Sequence, residues 1–405
     1  MIRLKYVVDI FGRIGFRGYT EQDLVDENEG AITLSPSNIQ NMKMDYSKCS
    51  FLTWQKYYES PEIKIKNGDV LFVKTGSTYG KVGYVENLPM EATINPQLVV
   101  FKNISMNSKL LFYMLQMSFV KDQCELAVVG GTIPTMSQVK IGNIYIPFPS
   151  LVEQQRIAEF LDRECGKIDG LKVDIQAQID TLEQYKRSII TEAVTHGLNP
   201  SAPMKDSGIT WVGKTPEYWK VGRIGGLYEL RNQKVSDKDF MPLSVTMKGI
   251  LPQLETAAKT NDGDNRKLVR VGDFAINSRS DRRGSCGISD YDGSVSLINT
   301  ILKPRNRMNA KYYNWLFHTP MFADEFYKWG HGIVDDLWTT NWSEMKRISI
   351  PLPPIDEQQE IADYLDNKCA EIEQIIADKK SQIETLDGYK KSLIYEYVTG
   401  KKEVV

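Results

Sequence analysis

The chain has 405 residues, with 50 Lys and Arg against 52 Asp and Glu, a formal net charge of −2 and 41% hydrophobic residues. That length accommodates two or three domains with cores of their own, and the composition is that of a soluble globular protein rather than a disordered or collagenous one. A total so close to neutral excludes a uniformly basic nucleic-acid binder, so charge has to be counted by region.

The N-terminus, MIRLKYVVDIFGRIGF, carries Arg3, Lys5, Asp9 and Arg13 through what would be the apolar part of a signal peptide, so none is expected. Residues 66–85, KNGDVLFVKTGSTYGKVGYV, read as a Gly-Asp turn, an apolar strand, a polar glycine-containing loop and a second strand. The longest apolar run, LLFYMLQMSFV at 110–120, is too short to span a bilayer. Five cysteines at wide, irregular spacing give neither a disulfide framework nor a zinc pattern, which suits reduced thiols in a cytoplasmic protein.

IPFPSLVEQQRIAEFLD at 146–162 opens a second kind of element, and it returns as IPLPPIDEQQEIADYLD at 350–366. Aligned without gaps at this offset of 204, residues 146–195 and 350–399 are identical at 24 of 50 positions. So long a period means two whole modules rather than a solenoid. Each copy begins with a proline-punctuated strand end, and Glu153 or Glu357 then falls in a first helical turn, where the helix dipole favours a carboxylate.

Leu161, Ile168, Ile175, Leu182 and Ile189 recur every seven residues, and Ile157, Leu171, Ile179 and Tyr185 widen the stripe. The second copy keeps Leu365, Ile372, Leu386 and Leu393, with Lys379 interrupting and Ile376 and Ile383 compensating. A sustained heptad column predicts a coiled coil; about 40 residues at ~1.5 Å each make a rod of roughly 60 Å. Gly197 and Pro200 end the first rod, so the two rods are expected to run antiparallel as a spacer between two globular modules. These segments are acidic, with net charges of −3 over 153–195 and −5 over 357–399, which leaves the rest of the chain at +6.

After the lead DSGITWVGKTPEYW at 206–219, the second module repeats the hairpin as RVGDFAINSRSDRRGSCGIS at 270–289. Gly68-Asp69 aligns with Gly272-Asp273, Gly80 with Gly284, Gly83 with Gly287 and Asn95 with Asn299. The scaffold is kept while the tip varies, from KTGSTYGK to NSRSDRRG. Both tips are basic: residues 63–81 hold four Lys against one Asp, and residues 266–284 hold six Lys and Arg against two Asp. Basic side chains interleaved with hydroxyls and amides suit contact with phosphates and base edges, although a solvated hairpin accounts for the same charges.

The doubled proline–EQ–helix segments, the hairpin and the 206–219 lead resemble the specificity subunit of a type I restriction-modification system, over essentially the whole chain. The resemblance implies an α+β chain. Two mixed α/β target recognition domains are separated by two long helices pairing as an antiparallel coiled coil, in a pseudo-two-fold internal repeat. The expected boundaries are residues 1–150 for the first domain, 151–198 for the first helix, 199–353 for the second domain and 354–400 for the second helix. It further implies a non-catalytic subunit reading one half of a split, asymmetric double-stranded DNA target with each domain. Its partners are two methylation subunits and two motor-nuclease subunits, without a membrane. S-adenosylmethionine, ATP and magnesium are expected on those partners and no cofactor on this chain. Candidate DNA-contact positions are Lys74, Thr75, Gly76, Ser77, Tyr79, Lys81, Gly131 and Thr132 in the first module. In the second they are Asn277, Arg279, Ser280, Arg282, Arg283, Gly332 and Trp338.

The competing reading is a fused methyltransferase or nuclease, and its motifs are incomplete. GSTYGKV at 76–82 has its glycines one residue too close for a phosphate loop, with Val82 in place of the magnesium-binding hydroxyl. INPQL at 94–98 has Gln97 where the Asn-Pro-Pro-aromatic motif of amino-methyltransferases requires proline. The glycines of FGRIGFRG at 11–18 are evenly spaced, unlike a dinucleotide fingerprint, and PEIK at 61–64 has no convincing upstream Asp. His196, His318 and His331 show no metal-ligand spacing.

Overall fold

The computed structural model describes residues 1–27, 29–40, 42–128, 133–253, 263–305, 308–332 and 338–404. The chain divides into two units, one of residues 1–175 with 381–405 and the other of residues 176–380. Two long helices, Leu151–His196 and Ile355–Val398, each contribute to both units.

The first unit contains an antiparallel sheet in the order Asp9–Gly12, Leu98–Lys102, Val70–Val73, Val82–Tyr84. The second unit repeats that order with Tyr228–Leu230, Asn299–Pro304, Phe274–Asn277 and Cys286–Ile288. The two Gly-Asp hairpins of the sequence are the last two strands of each. Their aspartates are buried: Asp69 accepts the Lys66 N–H (2.8 Å) and pairs with Lys102, while Asp273 accepts the Arg270 N–H (2.8 Å) and pairs with Arg231 (2.6 Å). Each carboxylate thus closes its own turn and has a cation to offset its burial.

The units differ in their other sheets. In the first, Ala92–Ile94 runs parallel to Gly30–Leu34 within four strands. In the second, Gly293–Val295 runs antiparallel to Arg266–Val269 within three. The register also corrects one sequence alignment. Phe101 and Leu302 occupy the same place, opposite Val70 and Phe274, so the offset here is 201 and Asn95 corresponds to Ser296 rather than to Asn299. Both Asn95 and Ser296 accept the N–H three residues on, from Leu98 (3.2 Å) and Asn299 (3.1 Å).

The apolar run at 110–120 forms parts of two short helices, Ser108–Met114 and Ser118–Ala127, in the core of the first unit with Phe72, Phe101, Ile157, Leu161 and Ile168. Leu393, Ile394 and Val398 of the second long helix complete that core. The core of the second unit is aromatic, with Tyr312, Tyr313, Phe317, Phe322 and Phe326 packed against Val194, Ile361 and Leu365. Among the described residues no helix is long and apolar enough to cross a membrane.

Each long helix is fastened to its globular part by the EQQ segment. Gln154 is 1% exposed; its Oε1 accepts the Asn107 N–H (2.9 Å) and its Nε2 donates to the Pro149 carbonyl (2.9 Å). Gln155 Oε1 accepts from Asn107 Nδ2 (2.8 Å), and Asn107 Oδ1 caps the next helix by accepting the Leu110 N–H (2.9 Å). Gln358, 6% exposed, repeats this with Asn309 (3.0 Å) and Pro353 (2.8 Å), and Gln359 takes the Asn309 amide (2.6 Å). The preceding glutamates differ. Glu153 accepts from Ser150 Oγ (2.7 Å) and N (2.9 Å), hydrogen bonds that hold its carboxyl below the usual range. Pro354 removes that partner in the second copy, and Glu357 instead accepts from Trp219 Nε1 (2.9 Å) and the Tyr218 hydroxyl (3.0 Å), both in the 206–219 lead.

Within each unit the two helix segments run antiparallel. In the first, Lys390 pairs with Asp169 (2.7 Å) and Lys172 with Asp387 (2.5 Å). In the second, Lys186 pairs with Glu373, and Lys379, which interrupts the apolar column, donates to Gln178 Oε1 (2.5 Å). Leu161, Ile168, Ile179, Leu365, Ile372, Ile376 and Leu393 are buried, as the heptad reading requires. Leu171 and Tyr185 do not widen the stripe: they are 52% and 48% exposed, because two helices bury only a narrow seam on each.

Two outcomes are expected. Gln154→Leu leaves the Asn107 N–H and the Pro149 carbonyl unpaired and should lower stability by about 2 kcal/mol in urea unfolding. Stability should also fall in alkali. Burial raises the hydroxyl pKa of Tyr113, Tyr228, Tyr312, Tyr313 and Tyr327. Their contribution is fully present below the unfolded tyrosine value of about 10 and is lost as pH rises through the folded values. Thermal unfolding between pH 8 and 11 should show the midpoint steady and then dropping above about pH 10.

Candidate nucleic-acid interface

The first candidate loop, Lys74–Lys81, joins strands Val70–Val73 and Val82–Tyr84. Gly76 (φ +104°) and Gly80 (φ +80°) take left-handed backbone conformations there, which explains glycine at both places. A distant segment braces the loop: Gly76 N–H donates to the Pro134 carbonyl (3.0 Å) and Met136 N–H to the Lys74 carbonyl (2.8 Å). Ser77 is exposed, Thr75 is half-buried, and Tyr79 packs partly into the core. Lys81 donates to the Pro36 carbonyl (3.4 Å). Lys74 is half-buried, its ammonium has no hydrogen-bond or ion-pair partner among the described residues, and burial lowers its pKa. An ammonium so placed gains from an incoming anion. Gly131 and Thr132 lie outside the described residues.

The second loop follows strand Phe274–Asn277 and carries arginines in place of lysines. Asn277 is buried, and its Oδ1 accepts the Arg279 N–H (3.0 Å), so it shapes the loop from beneath. The Tyr327 hydroxyl reaches the carbonyls of Asn277 (3.1 Å) and Arg282 (3.3 Å). Trp338 Nε1 donates to the Tyr327 carbonyl (2.7 Å), and Thr340 N–H donates to the Ser278 carbonyl (3.0 Å), as Met136 does in the first unit. Arg282 and Arg283 are exposed, Arg279 is half-buried, and the short turn Ser280–Arg282 lies between them. Arg283 sits over the Tyr327 ring (5.4 Å) and pairs with Asp324 (3.1 Å); Arg282 is near Asp281 (3.7 Å). Such exposed pairs are weak, and either guanidinium can exchange its carboxylate for a phosphate or a guanine edge. Gly332 is exposed nearby in sequence to the His331–Thr339 bridge.

The braces at 134–136 and 339–340, and Tyr327, were not legible in the sequence, because each meets its loop from about 50 residues or more away. The fragments that resembled catalytic motifs have structural partners. Glu62 of PEIK pairs with Arg17 (3.3 Å), and Lys64 lies over the rings of Tyr57 (4.4 Å) and Tyr58 (4.2 Å). Among the described residues no group of His, Cys, Asp and Glu is arranged to hold a metal.

A family model described as the type I restriction modification DNA specificity domain matches residues 19–181 and again residues 216–385. The chain belongs to that family. Its two specificity domains correspond to the two copies seen in the sequence, and the chain is a DNA-recognition component rather than an enzyme. It is similar to the type I restriction enzyme MjaVIII specificity subunit of Methanocaldococcus jannaschii, with 25% identity over 85% of this chain and 81% of that one. The EcoKI specificity subunit of Escherichia coli K12 is 20% identical over 90% of this chain and 81% of its own length. The fold is also that of two solved chains. One, from a study of complex assembly and conformational transition of the type I R-M system, has a TM-score of 0.70 at 16% identity and covers 98% of this chain and 96% of that one. The other, the HsdS subunit of Thermoanaerobacter tengcongensis, has a TM-score of 0.52 at 17% identity and covers 99% and 96%.

Replacing Arg279, Arg282 and Arg283 together by alanine should leave thermal stability within about 1 kcal/mol, since the loop is braced through backbone groups, while weakening DNA binding by at least ten-fold. Unchanged affinity in a filter-binding or anisotropy titration would remove the loop from the interface.

Proposed function

We propose that this chain reads a split, asymmetric DNA target, one half-site per unit, with Lys74–Lys81 and Arg279–Arg283 among the contacting residues. The long helices set the gap between the half-sites. The observation that carries this is the repetition of one sheet and one helix clamp with unlike loops on the corresponding strand ends: a shared frame addresses DNA in the same way twice, and different side chains read different bases. Gly131, Thr132, Gly332 and Trp338 stand in this proposal as further DNA-contact positions.

The helices also offer docking surface. Leu171 and Ile375, one repeat apart, are both exposed, as are Tyr185 and Tyr389. Exposed apolar side chains repeated at equivalent positions suit two copies of one partner, which we assign to two methylation subunits, joined by two motor-nuclease subunits. S-adenosylmethionine, ATP and magnesium belong to those subunits in this scheme, and the complex works in the cytoplasm without a membrane. The near-neutral net charge agrees with tight DNA binding only in the complex, since an isolated chain releases few counterions.

Sequencing the modified bases written by the assembled complex tests the reading: one motif with two dissimilar halves at a fixed gap is expected, and a continuous or palindromic motif contradicts it. The gap itself should be adjustable. Four residues inserted after Ile179, matched by four after Ile383, lengthen each helix by about 6 Å and nearly preserve the facing of the seam. At about 3.4 Å per base pair, the same two half-sites should then be methylated with a gap one or two base pairs longer.

A further inference from the structure

The INPQL stretch at 94–98 remains without a role once catalysis is set aside. It forms the tight turn between strands Ala92–Ile94 and Leu98–Lys102, at the strand ends from which the Lys74–Lys81 loop springs: the Lys74 N–H donates to the Gln97 carbonyl (2.8 Å). Gln97 is exposed. Its orientation follows from a short chain of necessity. A backbone N–H can only donate, so the Gln97 N–H (3.0 Å) fixes the oxygen of the Asn95 amide towards itself. Asn95 Nδ2 must then donate, and it does so to Gln97 Oε1 (3.0 Å). Gln97 Nε2 is thereby the free end of the pair. It lies beside Gly76, where an added Cβ would stand 3.5 Å from it, and among the described residues it donates to nothing. Glycine at 76 leaves this amide uncovered.

The second unit builds the same turn from unlike residues. Ser278 N–H, the counterpart of Lys74, donates to the Ile298 carbonyl (3.2 Å), so Ile298 stands where Gln97 does. Leu297 and Ile298 are 39% and 37% exposed. One unit therefore presents an orientation-locked amide beside its basic loop, and the other presents two apolar side chains at the equivalent place. The difference has a direct chemical reading: a glutamine amide matches the N6 donor and N7 acceptor of adenine, and an apolar side chain matches the thymine methyl. Gln97 Oε1 keeps a second lone pair after accepting from Asn95, so both halves of the adenine contact are open to it.

We infer that this turn is a specificity-determining element, with Gln97 reading an adenine in the first half-site and Ile298, with Leu297, a thymine methyl in the second. The inference rests on the reading of each unit as a half-site reader and adds residues outside the two basic loops.

The test uses the full chain assembled with its methylation subunits, acting on unmethylated genomic DNA, with modified bases read by long-read sequencing. Wild type, Gln97→Leu, Gln97→Ala and Ile298→Gln are compared. The expected result for both Gln97 variants is loss of discrimination at one adenine of one half-site, by roughly ten-fold or more, with the other half-site and the gap unchanged. Ile298→Gln should alter one position of the opposite half-site alone. The unaltered half-site in each molecule serves as the internal control for folding. An unchanged motif in both Gln97 variants overturns the inference while leaving half-site reading intact. Loss of all methylation by an assembled Gln97→Ala complex also overturns it, because the residue would then support the fold. If wild type itself writes no split motif, the functional reading fails first.

Discussion

In each unit one buried amide fastens the long helix to the recognition domain. Gln154 and Gln358 each join three things: the start of a long helix, the proline-ended strand before it, and the cap of a short helix in the globular core. A buried amide with both ends satisfied tolerates little movement, because any displacement leaves polar groups unpaired away from water. The start of each helix is thereby held to the core of its own unit. A flexible joint at the same place would make the coiled coil a tether.

The antiparallel ion pairs continue that logic along the rods. Asp169–Lys390 in one unit and Glu373–Lys186 in the other are copies at the repeat offset of 204. Lys390 is almost fully buried, which is unusual for a lysine and requires a partner in place. Beyond the clamp, these pairs, the shared four-stranded sheet and its Gly-Asp turn, the two copies have diverged. The second sheets differ in strand direction and number, and the loops carry lysines in one copy and arginines in the other, whereas Gly83 and Gly287 are both retained. A Cβ at Gly287 would stand 2.8 Å from the backbone Cα of Gly249, so the hairpin laid across that strand requires glycine there, whereas a Cβ at Gly83 would meet side-chain atoms of Met44 (2.8 Å) and Ile39 that can move aside.

Much of this was legible in the sequence because it is periodic or repeated. The 204-residue offset exposed the duplication, the heptad column exposed the rods, and the Gly-Asp pairs marked the hairpins. The failures have physical causes. The glutamate of EQQ drew attention through its charge and the helix dipole, while the buried glutamines beside it carry the fastening; their partners Asn107 and Asn309 are about 50 residues away. Leu171 and Tyr185 were assigned to the seam because a sequence shows hydrophobicity and not how wide a face one neighbouring helix can cover. Asn299 was matched to Asn95 by identity, and strand pairing moved the match by three residues. Of the candidate site, charge and divergence single out the two loops, the structure makes Asn277 a buried support beneath its loop, and the turn at Gln97 lies within a motif that resembled something else.

The central claim is that each glutamine clamp makes helix and domain one rigid body. Native-state hydrogen exchange reads it most directly, at the Asn107 and Asn309 amides that the two glutamines accept. The account predicts that both exchange only with opening of the surrounding core, and that Gln358→Leu exposes the Asn309 amide while leaving Asn107 protected. Rapid exchange at both amides in the unaltered chain would show that the helices are loosely hinged and would contradict the account.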